Sequence, residues 1–146
     1  MIGIVVSGHI NFASGMESAI KAIVGEQEQI RFVDFVESMS TDMLEHELRK
    51  AARYVDSGDG VLFLTDIPGG SPANRALSIL MDTNQIEVLA GVNLPMIANA
   101  AFERDGVSLI ELVEILQEIG KNTMKDMRKE LVAAMANEDS IEVNGL

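Results

Sequence analysis

Gly60-Val61-Leu62-Phe63-Leu64-Thr65-Asp66-Ile67-Pro68-Gly69-Gly70-Ser71-Pro72 sets the architecture of this chain. Val61 to Leu64 is an uninterrupted apolar run, the pattern of a strand buried on both faces inside a parallel sheet. It ends in Thr65-Asp66 and enters a glycine-rich loop, in which Ser71 is placed as N-cap and Pro72 at the first position of a helix running to about Met81. Buried strand, loop and helix in that order make half of a βαβ unit.

The same unit recurs on either side. Upstream, Gly3-Ile4-Val5-Val6-Ser7-Gly8-His9 is an apolar run that stops at a glycine and presents His9, one of only 2 histidines. Ser14-Gly15-Met16-Glu17 fits a capping box, and Met16, Ala19, Ile20, Ile23 and Val24 form one helical stripe before Gly25. Ile30 to Val36 reads as a second strand. Ser40-Thr41-Asp42 opens a second helix with Leu44, Leu48, Ala52 and Val55 on a single face, and His46, off that face between two glutamates, reads as a solvated helix residue. Downstream, Ile86 to Ala90 is a fourth strand that leads through Asn93 to Pro95 and a short helix ending near Phe102. Ser108-Leu109-Ile110-Glu111 is a further capping box, opening a helix with Leu112, Val113, Leu116 and Ile119 inward; Gly120 is expected to kink or end it. A helical segment from about Thr123 to Ala136 precedes Ser140-Ile141-Glu142-Val143, where Ile141 to Val143 is the candidate for a terminal strand.

Strand and helix alternate four times, which calls for a doubly wound α/β fold with a mainly parallel four-stranded sheet and right-handed crossovers. The 146 residues make one domain spanning 1–146, with 121–146 as a C-terminal extension. With no cysteine and 2 histidines, thiolate zinc sites, cysteine nucleophiles and histidine-rich metal sites are excluded. The first apolar run lacks a preceding basic region and is too short to span a bilayer, so a cytoplasmic protein without membrane insertion is expected. A formal charge of −12 argues against nucleic acid and favours a partner with a basic face.

In doubly wound sheets ligands bind beyond the carboxyl ends of the strands, where the winding reverses. That rule brings His9, Asp66 and Asn93 to one rim, and a strand order of 2-1-3-4 sets His9 beside Asp66. An aspartate accepting a hydrogen bond from one imidazole nitrogen fixes the tautomer and leaves the other nitrogen a lone pair for an electrophile. The amides of Gly70, Ser71 and Ala73, at the positive end of the third helix, make a site for an incoming anion. A phosphoryl group needs both features, since its transfer relies on positioning and charge stabilisation. Gly69-Gly70-Ser71-Pro72-Ala73 lacks the second glycine of a hydrolase elbow, and neither a Walker A nor a G-x-G-x-x-G motif is present.

Ile4-Val5-Val6-Ser7-Gly8-His9, Val24-Gly25-Glu26-Gln27, Val33-Asp34-Phe35, Gly60 to Asp66 with Gly69-Gly70-Ser71-Pro72, and Val88 to Met96 together carry a family resemblance. From Met1 to about Gly120 the chain resembles the enzyme IIA domain of the mannose family of the bacterial phosphoenolpyruvate-dependent sugar phosphotransferase system (PTS). The resemblance implies that His9 accepts a phosphoryl group from the phosphocarrier protein HPr and passes it to enzyme IIB of a permease with membrane components IIC and IID. It implies that Asp66 orients His9, that Ser71 lies beside the phosphoryl group, and that no cofactor or metal is required. It further implies a homodimer exchanging a C-terminal strand, a role for which Ile141 to Val143 is the candidate. Many members have Gly-His-Gly where this chain has Gly8-His9-Ile10, and Phe12-Ala13-Ser14-Gly15 is more like the galactosamine, N-acetylgalactosamine and gluconate branches. The alternative is a regulatory or phosphodonor module of the same fold, as in dihydroxyacetone kinase; the Gly69-Gly70-Ser71-Pro72 loop is unlike that subunit's glycine-serine-alanine loop.

Overall fold

The structure, a computed structural model, describes residues 1–144 and side chains through residue 138. Its elements alternate as β1 (Gly3–His9), α1 (Phe12–Val24), β2 (Ile30–Phe35), α2 (Thr41–Val55), β3 (Val61–Thr65), α3 (Ser71–Asp82), β4 (Ile86–Ala90) and α4 (Leu94–Glu103). Two further helices follow, α5 (Leu109–Asn122) and α6 (Met127–Asn144). The four strands form one sheet in the order β2-β1-β3-β4, and all three pairings are parallel. This is the doubly wound α/β architecture expected from the sequence.

The apolar runs explain the two-layer burial. Every residue of β3 is buried, as are the first six of β1, because helices cover both faces of the sheet. Ile4, Val6, Leu62 and Leu64 meet α1, α4 and α5 through Ala13, Ile20, Ile97, Leu112 and Leu116. Their neighbours Val5, Val61 and Phe63 turn the other way, onto Leu44, Leu48 and Val55 of α2 and Ala76 and Ile79 of α3. The period of two along each strand therefore feeds two separate cores. No helix among the described residues is long and apolar enough to cross a membrane.

Boundaries moved where a neighbouring element supplied what local sequence did not. The first helix begins at Phe12, not after Ser14, and its N-cap residue Asn11 makes no side-chain cap. Asp34, at the end of the adjacent strand β2, accepts a hydrogen bond from Ser14 N–H at 2.9 Å, so the capping acceptor comes from across the fold. The expected Ser14–Glu17 box does not open this helix. Ser40 and Ser108 behave as expected: the Ser40 hydroxyl accepts from Met43 N–H, and Ser108 and Glu111 form the full reciprocal box. Gly120 does not end α5, which continues to Asn122. A Cβ at that position would stand 2.6 Å from Met96 Sδ, so glycine serves the close approach of α4 and α5.

The candidate for an exchanged C-terminal strand is helical in the single chain. Ile141 to Val143 continue α6 in the single chain. A strand needs an edge to pair with, whereas the helix formers from Lys129 through Ala136 can propagate on their own hydrogen bonds.

One staple was not foreseen. Arg104, 2% exposed at the end of α4, donates to the carbonyls of Ile2 and Gln29 at 3.3 Å and of Glu28 at 2.7 Å. It ties the starts of β1 and β2 together, and burial holds its pKa below the ordinary arginine value.

Candidate active site

β1 and β3 run side by side with Ser7 opposite Thr65, so the residues that follow, His9 and Asp66, emerge together at the carboxyl edge of the sheet. Asp66 Oδ2 accepts a hydrogen bond from the backbone N–H of His9 at 2.8 Å and lies 2.8 Å from His9 Nδ1. A carboxylate oxygen accepts, so this contact suits an imidazole with its ring proton on Nδ1 and its lone pair on Nε2. Asp66 is largely enclosed, with 14% of its side chain exposed, whereas His9 has 43% exposed. The histidine is anchored through one nitrogen and remains open to solvent.

Two further groups confine the ring. Phe35 ends β2 opposite His9 in the β1–β2 register, and its ring meets the imidazole edge-on with centroids 5.8 Å apart and planes at 66°. On another side stands Gly70, where a Cβ would lie 2.7 Å from His9 Cε1. Its φ of −77° is available to any residue, so glycine is required here for space rather than for backbone freedom.

Gly70, not Ser71, is the N-cap of α3, with Ser71 and Pro72 as the first two helical residues. The shift arises because Gly70 N–H is already spent on a tight turn to the Ile67 carbonyl at 3.2 Å, while Gly70 O accepts from Asn74 N–H at 2.9 Å. Gly70 therefore frames the site by its missing side chain instead of donating its amide. The Ser71 and Ala73 amides and the Ser71 hydroxyl take no hydrogen-bond partner among the described residues. The other helices that start at this rim are closed: α1 by Asp34, α2 by Ser40, and α4 by Asn93, whose Oδ1 accepts from Met96 N–H at 3.0 Å. Among the described residues, only α3 starts at this rim without a side-chain cap, and it starts beside His9. An anion held there would face two free amides, a hydroxyl and the positive end of a helix dipole.

Asn93 reaches the same rim, as its position after β4 implies, but does not join the site. Its amide is used up in capping α4 and in donating to Thr123 Oγ1 at 3.2 Å. His46 is exposed on α2 and takes no part. Asp34 and Phe35 are the supporting residues that sequence reasoning passed over; the strand order sets the end of β2 against the end of β1 and so contained the signal. Among the described residues, no group of three or more His, Asp or Glu is arranged to hold a metal ion. A cavity of about 500 Å³ lined by Met1, Asp59, Gln85, Arg104 and Leu109 lies at the opposite, amino-terminal edge of the strands, away from His9.

Comparison with known proteins adds an independent line. Residues 3–117 match the family model described as "PTS system fructose IIA component". The chain is 35% identical over 136 residues to the PTS system mannose-specific EIIAB component of Escherichia coli (strain K12), which covers 92% of this chain and 42% of that protein. It thus spans less than half of the relatives that combine two components. The PTS system fructose-specific EIIA component of Bacillus subtilis (strain 168) is 28% identical over 143 residues, covering 97% of this chain and 98% of its own length. Among solved structures, phosphotransferase system component EIIA from Streptococcus agalactiae superposes with a TM-score of 0.82 at 27% identity, covering 88% of this chain and 99% of that one.

Proposed function

The chain belongs to the mannose-type enzyme IIA family of the sugar phosphotransferase system, and from that premise we propose that it is a phosphoryl carrier with His9 as the residue that carries the group. His9 Nε2 takes the phosphoryl group from phospho-HPr and yields it to the histidine of a cognate enzyme IIB, whose permease couples transfer to sugar uptake. Asp66 holds the ring as the Nδ1–H tautomer and balances the positive charge that the imidazole gains on attack. The Ser71 and Ala73 amides and the Ser71 hydroxyl receive the oxygens of the group in transit.

The observation that carries this reading is the 2.8 Å contact between His9 Nδ1 and Asp66 Oδ2 next to the uncapped start of α3. A bare imidazole on a surface would rotate and exchange tautomers, whereas this one is held at Nδ1 beside the start of α3. On this reading the protein works in the cytoplasm, on the side where phosphoenolpyruvate is available. A homodimer is part of it too: α6 leaves Leu131, Val132 and Met135 exposed, apolar surface that a second copy would cover.

The test is reconstitution. With phosphoenolpyruvate, enzyme I and HPr, the wild-type chain should acquire one acid-labile, base-stable phosphate and pass it to enzyme IIB, and His9→Gln should acquire none. A labelled His9→Gln chain would remove His9 from the carrier role.

A further inference from the structure

At β2 the sheet ends in a free edge, since this strand is bonded to β1 alone. Ile4 N–H donates to the Gln29 carbonyl at 3.0 Å and Ile10 N–H to the Phe35 carbonyl at 2.8 Å, so the odd-numbered residues of β2 turn their backbone groups toward β1. Along a strand successive residues point these groups to opposite sides. Ile30, Phe32 and Asp34 therefore present their N–H and C=O groups outward, where they take no partner among the described residues. A row of this kind is a template for another strand.

A cleft flanks the edge on each face of the sheet. On the α2 face a cleft of about 460 Å³ is lined by Arg31, Val33, Lys50, Ala51 and Tyr54. On the α1 face a second, of about 130 Å³, is lined by Ile20, Lys21, Ile30 and Phe32. Their chemistry differs. The α1 cleft has an aliphatic and aromatic floor, and its Lys21 is engaged by Glu17 and Glu26. In the α2 cleft the Arg31 guanidinium lies over the Tyr54 ring, 3.6 Å from its centroid, and Tyr54 is 66% exposed. Neither Arg31 nor Lys50 takes a carboxylate partner among the described residues, although Arg49, Arg75 and Lys121 each have one. Two unpaired cations in one cleft stand out in a chain with 23 acidic residues against 11 basic ones.

We propose that the free edge of β2 receives an extended segment of another protein as an added strand, with a carboxylate side chain facing Arg31 and Lys50 and aliphatic side chains in the α1 cleft. The backbone groups of Ile30, Phe32 and Asp34 hold the segment, and the period of two sorts its side chains between the clefts. Glu47, at the α2 cleft as well, repels a segment that is acidic along its whole length, so the fitting sequence carries a carboxylate between aliphatic neighbours. The surface lies on the middle of β2 and the second half of α2, away from the carboxyl edge that bears His9, and its occupation does not depend on phosphoryl transfer.

The probe is the end-blocked pentapeptide Thr-Val-Glu-Val-Thr, whose carboxylate and two valines fall on opposite faces when it is extended; Thr-Val-Lys-Val-Thr is its charge-reversed counterpart. The intact chain is titrated with each to millimolar concentration and followed by amide nuclear magnetic resonance and hydrogen exchange. The glutamate peptide should slow exchange at the amides of Ile30, Phe32 and Asp34 and leave Arg31, Val33 and Phe35, already bonded to β1, unchanged. Arg31→Glu combined with Lys50→Glu should weaken that peptide about threefold to tenfold, the scale of two exposed cross-strand charge pairs, and strengthen the lysine peptide by a similar factor. Lys50→Glu alone, which keeps the Arg31–Tyr54 stacking, should give a smaller change in the same direction and serves if the double variant unfolds. Outward amides that millimolar peptide leaves untouched overturn the proposal, as do peptide affinities that charge reversal does not exchange. Protection of the same amides by raising the protein concentration alone also overturns it, and makes the edge an interface between copies of this chain.

Discussion

Asp66 Oδ2 accepts the backbone N–H of His9 and holds His9 Nδ1, each at 2.8 Å, so a single carboxylate oxygen grips the histidine at two points. The backbone bond locates the residue, and the ring bond selects which nitrogen is free. Asp66→Asn keeps the shape but supplies a weaker, neutral partner that can also present an amide N–H to the ring. Phosphorylation of the variant by phospho-HPr should slow about tenfold to a hundredfold, while its far-ultraviolet dichroism and Tm stay near wild type. Equal rates would remove Asp66 from the positioning role.

Gly70→Ala separates room from flexibility. The φ of −77° accepts alanine without backbone strain, but the new methyl would stand 2.7 Å from His9 Cε1. The imidazole must move or the loop must open, so transfer should fall at least about tenfold through misplacement of the reacting atom. Stability should change by no more than about 1 kcal/mol. A normal rate in this variant would mean that the ring has space the structure does not show.

The cap that β2 lends to α1 gives a separate prediction. Asp34→Ala removes the acceptor for Ser14 N–H, which has no replacement in Asn11. Loss of a cap costs about 1 kcal/mol, and chemical denaturation should report a lowered midpoint. Because α1 starts three residues after His9, the transfer rate should fall as well, and Asp34→Asn should rescue most of both effects.

The α2–α3 side of the sheet carries a pH-dependent contact. Arg49 donates through both terminal nitrogens to Asp82, at 2.9 and 2.8 Å, in the two-pronged geometry that favours guanidinium with carboxylate. The hydrogen bonds from Arg49 hold the Asp82 carboxyl below the usual carboxylate range, and the Thr83 hydroxyl adds to this. A carboxyl depressed in the folded state stabilises the fold above its ordinary pKa of about 3.9 and loses that contribution as pH falls through the lower folded value. The Tm difference between wild type and Asp82→Asn should therefore be present at neutral pH and shrink below about pH 4. A difference that is constant down to strongly acid pH would show that the ion pair contributes nothing.

The fold was legible because its signals are local and redundant. Val61 to Leu64 and Ile4 to Val6 are apolar without alternation, and each is followed by a loop and a patterned helix, which leaves few architectures open. The pairing of His9 with Asp66 followed from strand order alone. What escaped the sequence depends on distances between elements. Asp34 caps a helix it does not precede, and Arg104 clasps carbonyls more than seventy positions away. Gly70 spends its amide on Ile67, which moves the N-cap back by one residue and turns an expected donor into a spacer. The terminal strand depends on an edge that a second copy would supply, and the single chain continues α6 through Ile141 to Val143.

The central claim is that Asp66 occupies Nδ1 and leaves Nε2 to carry the phosphoryl group. Phosphorylating the isotopically labelled chain with phosphoenolpyruvate, enzyme I and HPr, and reading the ring nitrogens of His9 by 15N and 31P nuclear magnetic resonance, tests it most directly. A single phosphohistidine bonded through Nε2, with Nδ1 protonated, is the predicted result. A phosphoryl group on Nδ1, on His46, or on no histidine at all would contradict it.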